Sequence, residues 1–131
     1  MTQARGTFDV QLHPLPMEDI AKEAMLGRMS IDKQFHGDLE GTSKGQMMSV
    51  GTPVSGSAVY VAVERVTGKL HGKAGTFALH HTGIMQRGKP SLTINVVPDS
   101  GTGELTGLSG TLTIDVKDGA HSYVFEYTIA P

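Results

Sequence analysis

The chain has 131 residues, a formal net charge of −2 and no cysteine. That length suits one core rather than a catalytic domain joined to a regulatory one. Its scattered charges lack the basic face a nucleic acid needs, no apolar run is long enough for a membrane helix, and disulfides, thiolate metal sites and cysteine nucleophiles are excluded. The start, Met1 to Phe8, enters a strand-like alternation with no apolar leader. A cytoplasmic protein with no membrane or nucleic-acid partner is expected.

Taken in chain order, the hydrophobic period predicts strands over about 4–12, 25–36, 38–48, 55–66, 69–81, 84–97 (interrupted), 104–116 and 120–129. The glycines punctuate these alternating runs, as turns, bulges and barrel corners require, and form no disordered tract. After the first strand, Pro14 to Ala24 reads as a loop with one helical turn. The second strand sets Met25, Met29, Ile31 and Phe35 on one face, either as an adaptable ligand wall or as gap-filling core.

Thr67-Gly68 suggests a hairpin turn. It would pair Glu64 with His71, Ala62 with Lys73, Tyr60 with Gly75 and Ala58 with Phe77. Val59, Val61, Val63, Leu70 and Ala74 then share the opposite face, so both faces of the 55–81 hairpin look apolar and which one is interior stays open. Either an unlocated bulge lies in the hairpin or a second subunit covers its outside. A homo-oligomer, with a dimer favoured, is the expectation. Thr82-Gly83 offers another turn, and Gly88-Lys89-Pro90 breaks the following strand because proline lacks a ladder donor.

Asp99 to Gly103 is a loop. Asp118-Gly119 is the firmest signal, since a type I′ turn needs positive φ at both central residues. It pairs Ile114 with Tyr123, Leu112 with Phe125, Gly110 with Tyr127, Asp115 with Ser122, Thr113 with Val124 and Thr111 with Glu126. The aromatic face of that hairpin is placed inside. The predicted fold is all-β: a single domain over 1–131, an eight-stranded antiparallel β-barrel whose closure removes sheet edges. Such a barrel is filled by side chains or holds one small ligand.

Six histidines invite a metal reading. There is no His-x-His pair, and His80 and His81 point to opposite faces of one strand. His71 and His81 share a face but lie far apart along it. No metal or cofactor is expected. Glu64 opposite His71 is either a carboxylate orienting an imidazole base or a cross-strand charge pair at the hairpin's open end. His81 shares parity with Phe77 and Leu79 and so points into a barrel mouth, as a catalyst or as a half-buried histidine. These three are the candidate catalytic residues. Tyr60, Tyr123 and Tyr127 could offer hydroxyls while Phe77, Leu112, Phe125, Met29 and Phe35 wall a pocket beside His81, although ordinary core packing explains the same rings. The glycine-rich run Gly101 to Gly107 is no phosphate loop, and no serine sits in a nucleophile elbow.

The stretch Ser30, Asp32-Lys33-Gln34-Phe35-His36-Gly37-Asp38-Leu39-Glu40, followed by Ser43 and Met47, carries a resemblance that spans nearly the whole chain. The run from Gly75-Thr76-Phe77 through His81-Thr82-Gly83 to Ser100-Gly101-Thr102-Gly103-Glu104-Leu105 continues it, and His121-Ser122-Tyr123 completes it. Together these residues resemble a bacterial family of uncharacterised domains with an allene oxide cyclase-like β-barrel. The resemblance implies the barrel. The plant cyclases that share it fold an unstable fatty-acid epoxide in an apolar cavity, but none of their catalytic residues aligns here, and a shared fold does not transmit an activity. The leading expectation is a binding protein holding a small apolar or amphipathic ligand in the barrel interior. The alternatives are a cofactor-independent isomerase or cyclase, and a structural or interaction protein with a filled barrel. Cavity volume separates these, with roughly 300 Å³ or more favouring a ligand.

Overall fold

A computed structural model describes residues 1–131. Its strands are β1 (Thr2–Pro14), β2 (Leu26–Gly37), β3 (Leu39–Gly51), β4 (Ala58–Leu70), β5 (Lys73–Gln86), β6 (Lys89–Val96), β7 (Leu108–Lys117) and β8 (Ala120–Ile129). They form one closed antiparallel barrel in sequence order, with β8 returning to β1. One short helix, α1 (Asp19–Glu23), joins β1 to β2 where a single helical turn was expected. No helix is long and apolar enough to cross a membrane.

The β7–β8 hairpin matches its predicted register at every pair. Asp118 (φ 54°) and Gly119 (φ 80°) supply the two positive angles of the turn. The two Thr-Gly turns, by contrast, do not exist. β4 runs through Thr67-Gly68 to Leu70, and His71 (φ 47°) with Gly72 (φ 79°) makes the turn instead. β5 likewise runs through Thr82-Gly83 and turns at Arg87 (φ 47°) and Gly88 (φ 88°). Glu64 therefore pairs with Leu79 rather than His71, and Tyr60 with Gly83 rather than Gly75. The displacement is an even number of residues, so the side chains from Ala58 to Val66 and from Lys73 to His81 keep their faces and change only their partners. Leu70 is the exception: expected outside with Val59 and Val61, it stays in β4 past the supposed turn and is fully buried in phase with Val66.

That register resolves the two-sided hairpin. Ala58, Tyr60, Ala62, Glu64 and Val66 lie toward the interior, while Val61 and Val63 are 51% and 61% exposed. No bulge is needed: the outer wall of the barrel is simply apolar there. The strand expected at 104–116 starts later, because Gly103–Leu105 forms a 3₁₀ turn before β7.

One end of the barrel is packed solid. Phe77 stacks on Phe125 with ring centroids 5.8 Å apart, and Phe35 meets Tyr123 edge-on at 5.8 Å. Leu39, Leu70, Leu79 and Leu105 are fully buried around them. The Tyr123 hydroxyl accepts from the Leu39 N–H at 2.9 Å and donates to the His36 carbonyl at 2.9 Å, tying β8 to the β2–β3 turn. Burying rings of this size dominates the stability of so small a core.

Candidate functional site

Above the aromatic layer, the inward positions of four neighbouring strands change character. β2 presents Ile31, Lys33 and Phe35 in succession, so a lysine occupies an apolar slot and is buried. β3 presents Ser43 and Gly45, β4 presents Ala62 and Glu64, and β5 presents His81 opposite Ala62. Gly45 stands directly across from Glu64, and a Cβ there would lie 2.2 Å from the Val63 carbonyl oxygen and 2.7 Å from Glu64 Cβ. The bare glycine leaves the Lys33 side chain free to reach across β3.

Lys33 Nζ donates to Glu64 Oε2 at 2.8 Å, and Ser43 Oγ donates to Oε1 at 2.8 Å. His81 Nε2 also closes on Oε2. The Lys33 ammonium lies over Phe8 at 5.0 Å and Phe35 at 5.7 Å. The Glu64 side chain is fully shielded, and Lys33 and His81 are each only 6% exposed. Burial by itself would raise the Glu64 carboxyl. The His81 contact first, and the Lys33 charge after it, outweigh that and hold it at about 2. Tyr60, one inward step from Ala62, has its phenol pushed upward by burial first and by the Glu64 charge second. It therefore stays a neutral donor.

This charged layer is the floor of a cavity of about 290 Å³. Val10, Leu12, Ile31, Met47, Leu92 and Ile114 form its apolar wall, with Tyr60 and His121 as polar tips. A second apolar space of about 270 Å³ adjoins it through Met47, Tyr60 and Leu92, between the ends of β4, β5 and β6. Tyr60 is set there by Gly83, where a Cβ would fall 2.0 Å from the ring. A wider depression of about 510 Å³ sits outside, between Lys44 and Arg65, and does not enter the barrel.

The expected site residues divide between the two ends. His81 and Tyr60 line the cavity, and Glu64 lies beneath it against His81 and Lys33. His71 occupies the β4–β5 turn at the opposite end, bonded through Nδ1 to the Tyr127 hydroxyl and 3.5 Å from Asp38 through Nε2. Its expected pairing with Glu64 is therefore corrected. Phe35, Phe77, Leu112, Tyr123, Phe125 and Tyr127 belong to the packed end, and half-buried Met29 flanks the mouth without lining the cavity. Lys33 and Ser43 were missed as site residues. The available signal was a lysine in phase with Ile31 and Phe35, a charge where the strand pattern demands an apolar residue. No three His, Asp or Glu side chains converge as metal ligands.

A family model described as "Protein of unknown function (DUF3224)" matches residues 4–127. A solved structure of a DUF3224 protein of unknown function from Shewanella oneidensis MR-1 is similar at 48% identity and a TM-score of 0.93, covering 100% of this chain and 99% of that one. Comparison with curated proteins gave no match. The chain belongs to the DUF3224 family, an uncharacterised family built on this eight-stranded barrel.

Proposed function

We propose that the protein binds a compact amphipathic small molecule in the barrel mouth, with its polar end on the Lys33–Glu64–His81 floor. The observation that carries this reading is the buried ion pair itself. Removing two charges from water costs several kcal/mol each, and well-packed apolar residues would serve a barrel core as well or better. A scaffold has no use for such a layer next to an open cavity. The apolar wall and the adjoining space suit a ligand whose remainder is hydrocarbon, and the volume is in the range of small-ligand sites. The cysteine-free composition suits a cytoplasmic setting.

The test uses anilinonaphthalene sulfonate as an amphipathic fluorescent probe, alongside native mass spectrometry of protein purified from its host. Ile114→Trp fills the cavity from a half-buried position on β7. We expect dye affinity to fall about tenfold, roughly 1.4 kcal/mol, with melting little changed, and a small molecule to be retained in the native spectrum. Equal dye binding by a folded Ile114→Trp protein, together with a bare native mass, would refute the reading.

The same chain is proposed to self-associate through its outer wall. Met48, Val50, Val59, Val61, Val63 and Ile84 form an exposed stripe over β3, β4 and β5. Gln46 and Thr82, interspersed with them on that wall, are uncharged side chains. Two copies can therefore meet face to face without bringing like charges together, as an isologous dimer requires.

A further inference from the structure

His81 carries more than a contact. A carboxylate only accepts hydrogen bonds, so in the neutral His81 ring the proton belongs on Nε2, the nitrogen against Glu64, and the lone pair on Nδ1. Nδ1 makes no hydrogen bond to the protein, and His81 forms part of the cavity surface. Lys33 spends one of its three N–H donors on Glu64 and has no other acceptor, and it too borders the cavity. His81 Nε2 and Lys33 Nζ meet the same oxygen, Glu64 Oε2, so the two side chains stand together on one floor, one with Nδ1 unbonded and the other with N–H donors unspent. A ligand oxygen is what Lys33 lacks, and a weakly acidic proton is what His81 lacks. A carbonyl compound offers both, on adjacent atoms.

We propose that the cavity moves a proton next to a ketone carbonyl, converting a β,γ-unsaturated ketone into its conjugated isomer without a cofactor. This rests on the reading of the cavity as a ligand site. The Nδ1 lone pair of His81 takes a proton from the α-carbon, and the released C–H pair becomes a C=C bond. The carbonyl π pair moves onto oxygen, where the Lys33 ammonium stabilises the oxyanion by donating a hydrogen bond. The oxyanion pair then re-forms C=O, the double bond shifts, and the γ-carbon recovers the proton from the His81 imidazolium. Atoms and charge balance, and nothing is oxidised or reduced. Glu64 is a positioning residue: it fixes the tautomer and offsets the imidazolium charge while touching no substrate atom. A ligand seated against the apolar wall displaces the water that would otherwise compete for the Lys33 donor.

The experiment gives the intact protein a β,γ-unsaturated cyclohexenone and a bicyclic octalone. Conversion is followed by the absorbance of the conjugated enone, and binding by saturation-transfer NMR. Wild type should exceed free imidazole at equal concentration by about a hundredfold or more. His81→Gln should lose that factor while the ketone still binds. Glu64→Gln should lower the turnover rate much more than the affinity, a split that a merely structural defect would not give. Long-range nitrogen NMR of wild type reads the tautomer independently, so the idea stays testable if a variant fails to fold. Finding the Nδ1–H tautomer, or full activity in folded His81→Gln, would overturn the proposal. Ketone binding without conversion would overturn it and leave the ligand site standing. Dye binding with no ketone binding would do the same, and loss of both would remove both readings.

Discussion

At the scale of single residues, the unusual fact is a lysine, a glutamate and a histidine sharing the inside of a 131-residue chain. Each depends on the others. Lys33→Met should destabilise the protein by about 3–5 kcal/mol in urea unfolding, because Glu64 is then left charged and buried without its main counter-ion. Adding Glu64→Leu to that variant should recover most of the loss, which would identify the charges as functional rather than structural. The pH dependence has a definite sign. Glu64 falls from an ordinary value of 4.5 to about 2 on folding, so its contribution is complete above pH 4.5 and disappears as pH drops toward 2. That contribution is up to about 3 kcal/mol, and the excess acid sensitivity should vanish in Glu64→Gln. A wild type and variant with parallel acid unfolding curves would contradict the assignment. His81 could be read from its parity with Phe77 and Leu79, whereas its partner could not. Which carboxylate it meets depends on where a turn several residues away closes.

Turns decide matters at the next scale up. His71-Gly72, Arg87-Gly88 and Asp118-Gly119 adopt the same pair of positive φ angles, yet only the last was legible in the sequence. Asp and Gly both favour that region, while arginine gains nothing there. Thr67-Gly68 and Thr82-Gly83 carried a comparable local signal and are strand instead. Gly68 faces Gly41 and Gly83 lies beneath the Tyr60 ring, which are contacts between strands and invisible to a local reading. A side chain at Gly119 would have no neighbour within 4 Å of its Cβ, so Gly119→Val isolates conformational strain. It should cost roughly 1–2 kcal/mol and lower the melting temperature by roughly 3–8 °C. Unchanged melting would mean that the turn does not hold its angles in solution. The seam between β6 and β7 is the barrel's weakest: a single bridge, Asn95 to Thr111, backed by a 2.8 Å side-chain hydrogen bond. Amides of β6 should therefore exchange with solvent sooner than those of β3 and β4.

The whole barrel is polarised along its axis, from an aromatic plug, through a charged floor, to an apolar mouth. Eight strands leave little interior space, so filling one end with rings and placing small residues such as Ala62 and Gly45 at the other decides where a ligand fits. Closure and the C-terminal hairpin were readable because period and a strong turn agreed there. The boundary between plug and cavity was not, because residues on both sides of it have the same inward parity. The outer wall is polarised as well. Val61 lies in the middle of its exposed stripe and is half exposed, so Val61→Lys should leave the fold intact. In a two-fold dimer the residue occurs on both partners, so one substitution sets two lysines against each other across the interface. We expect wild type to sediment as a dimer at micromolar concentration and Val61→Lys as a monomer with the same far-ultraviolet circular dichroism. A wild type that sediments as a monomer under those conditions would remove the second copy from this face, while leaving the cavity, which opens at the barrel's end, unaffected.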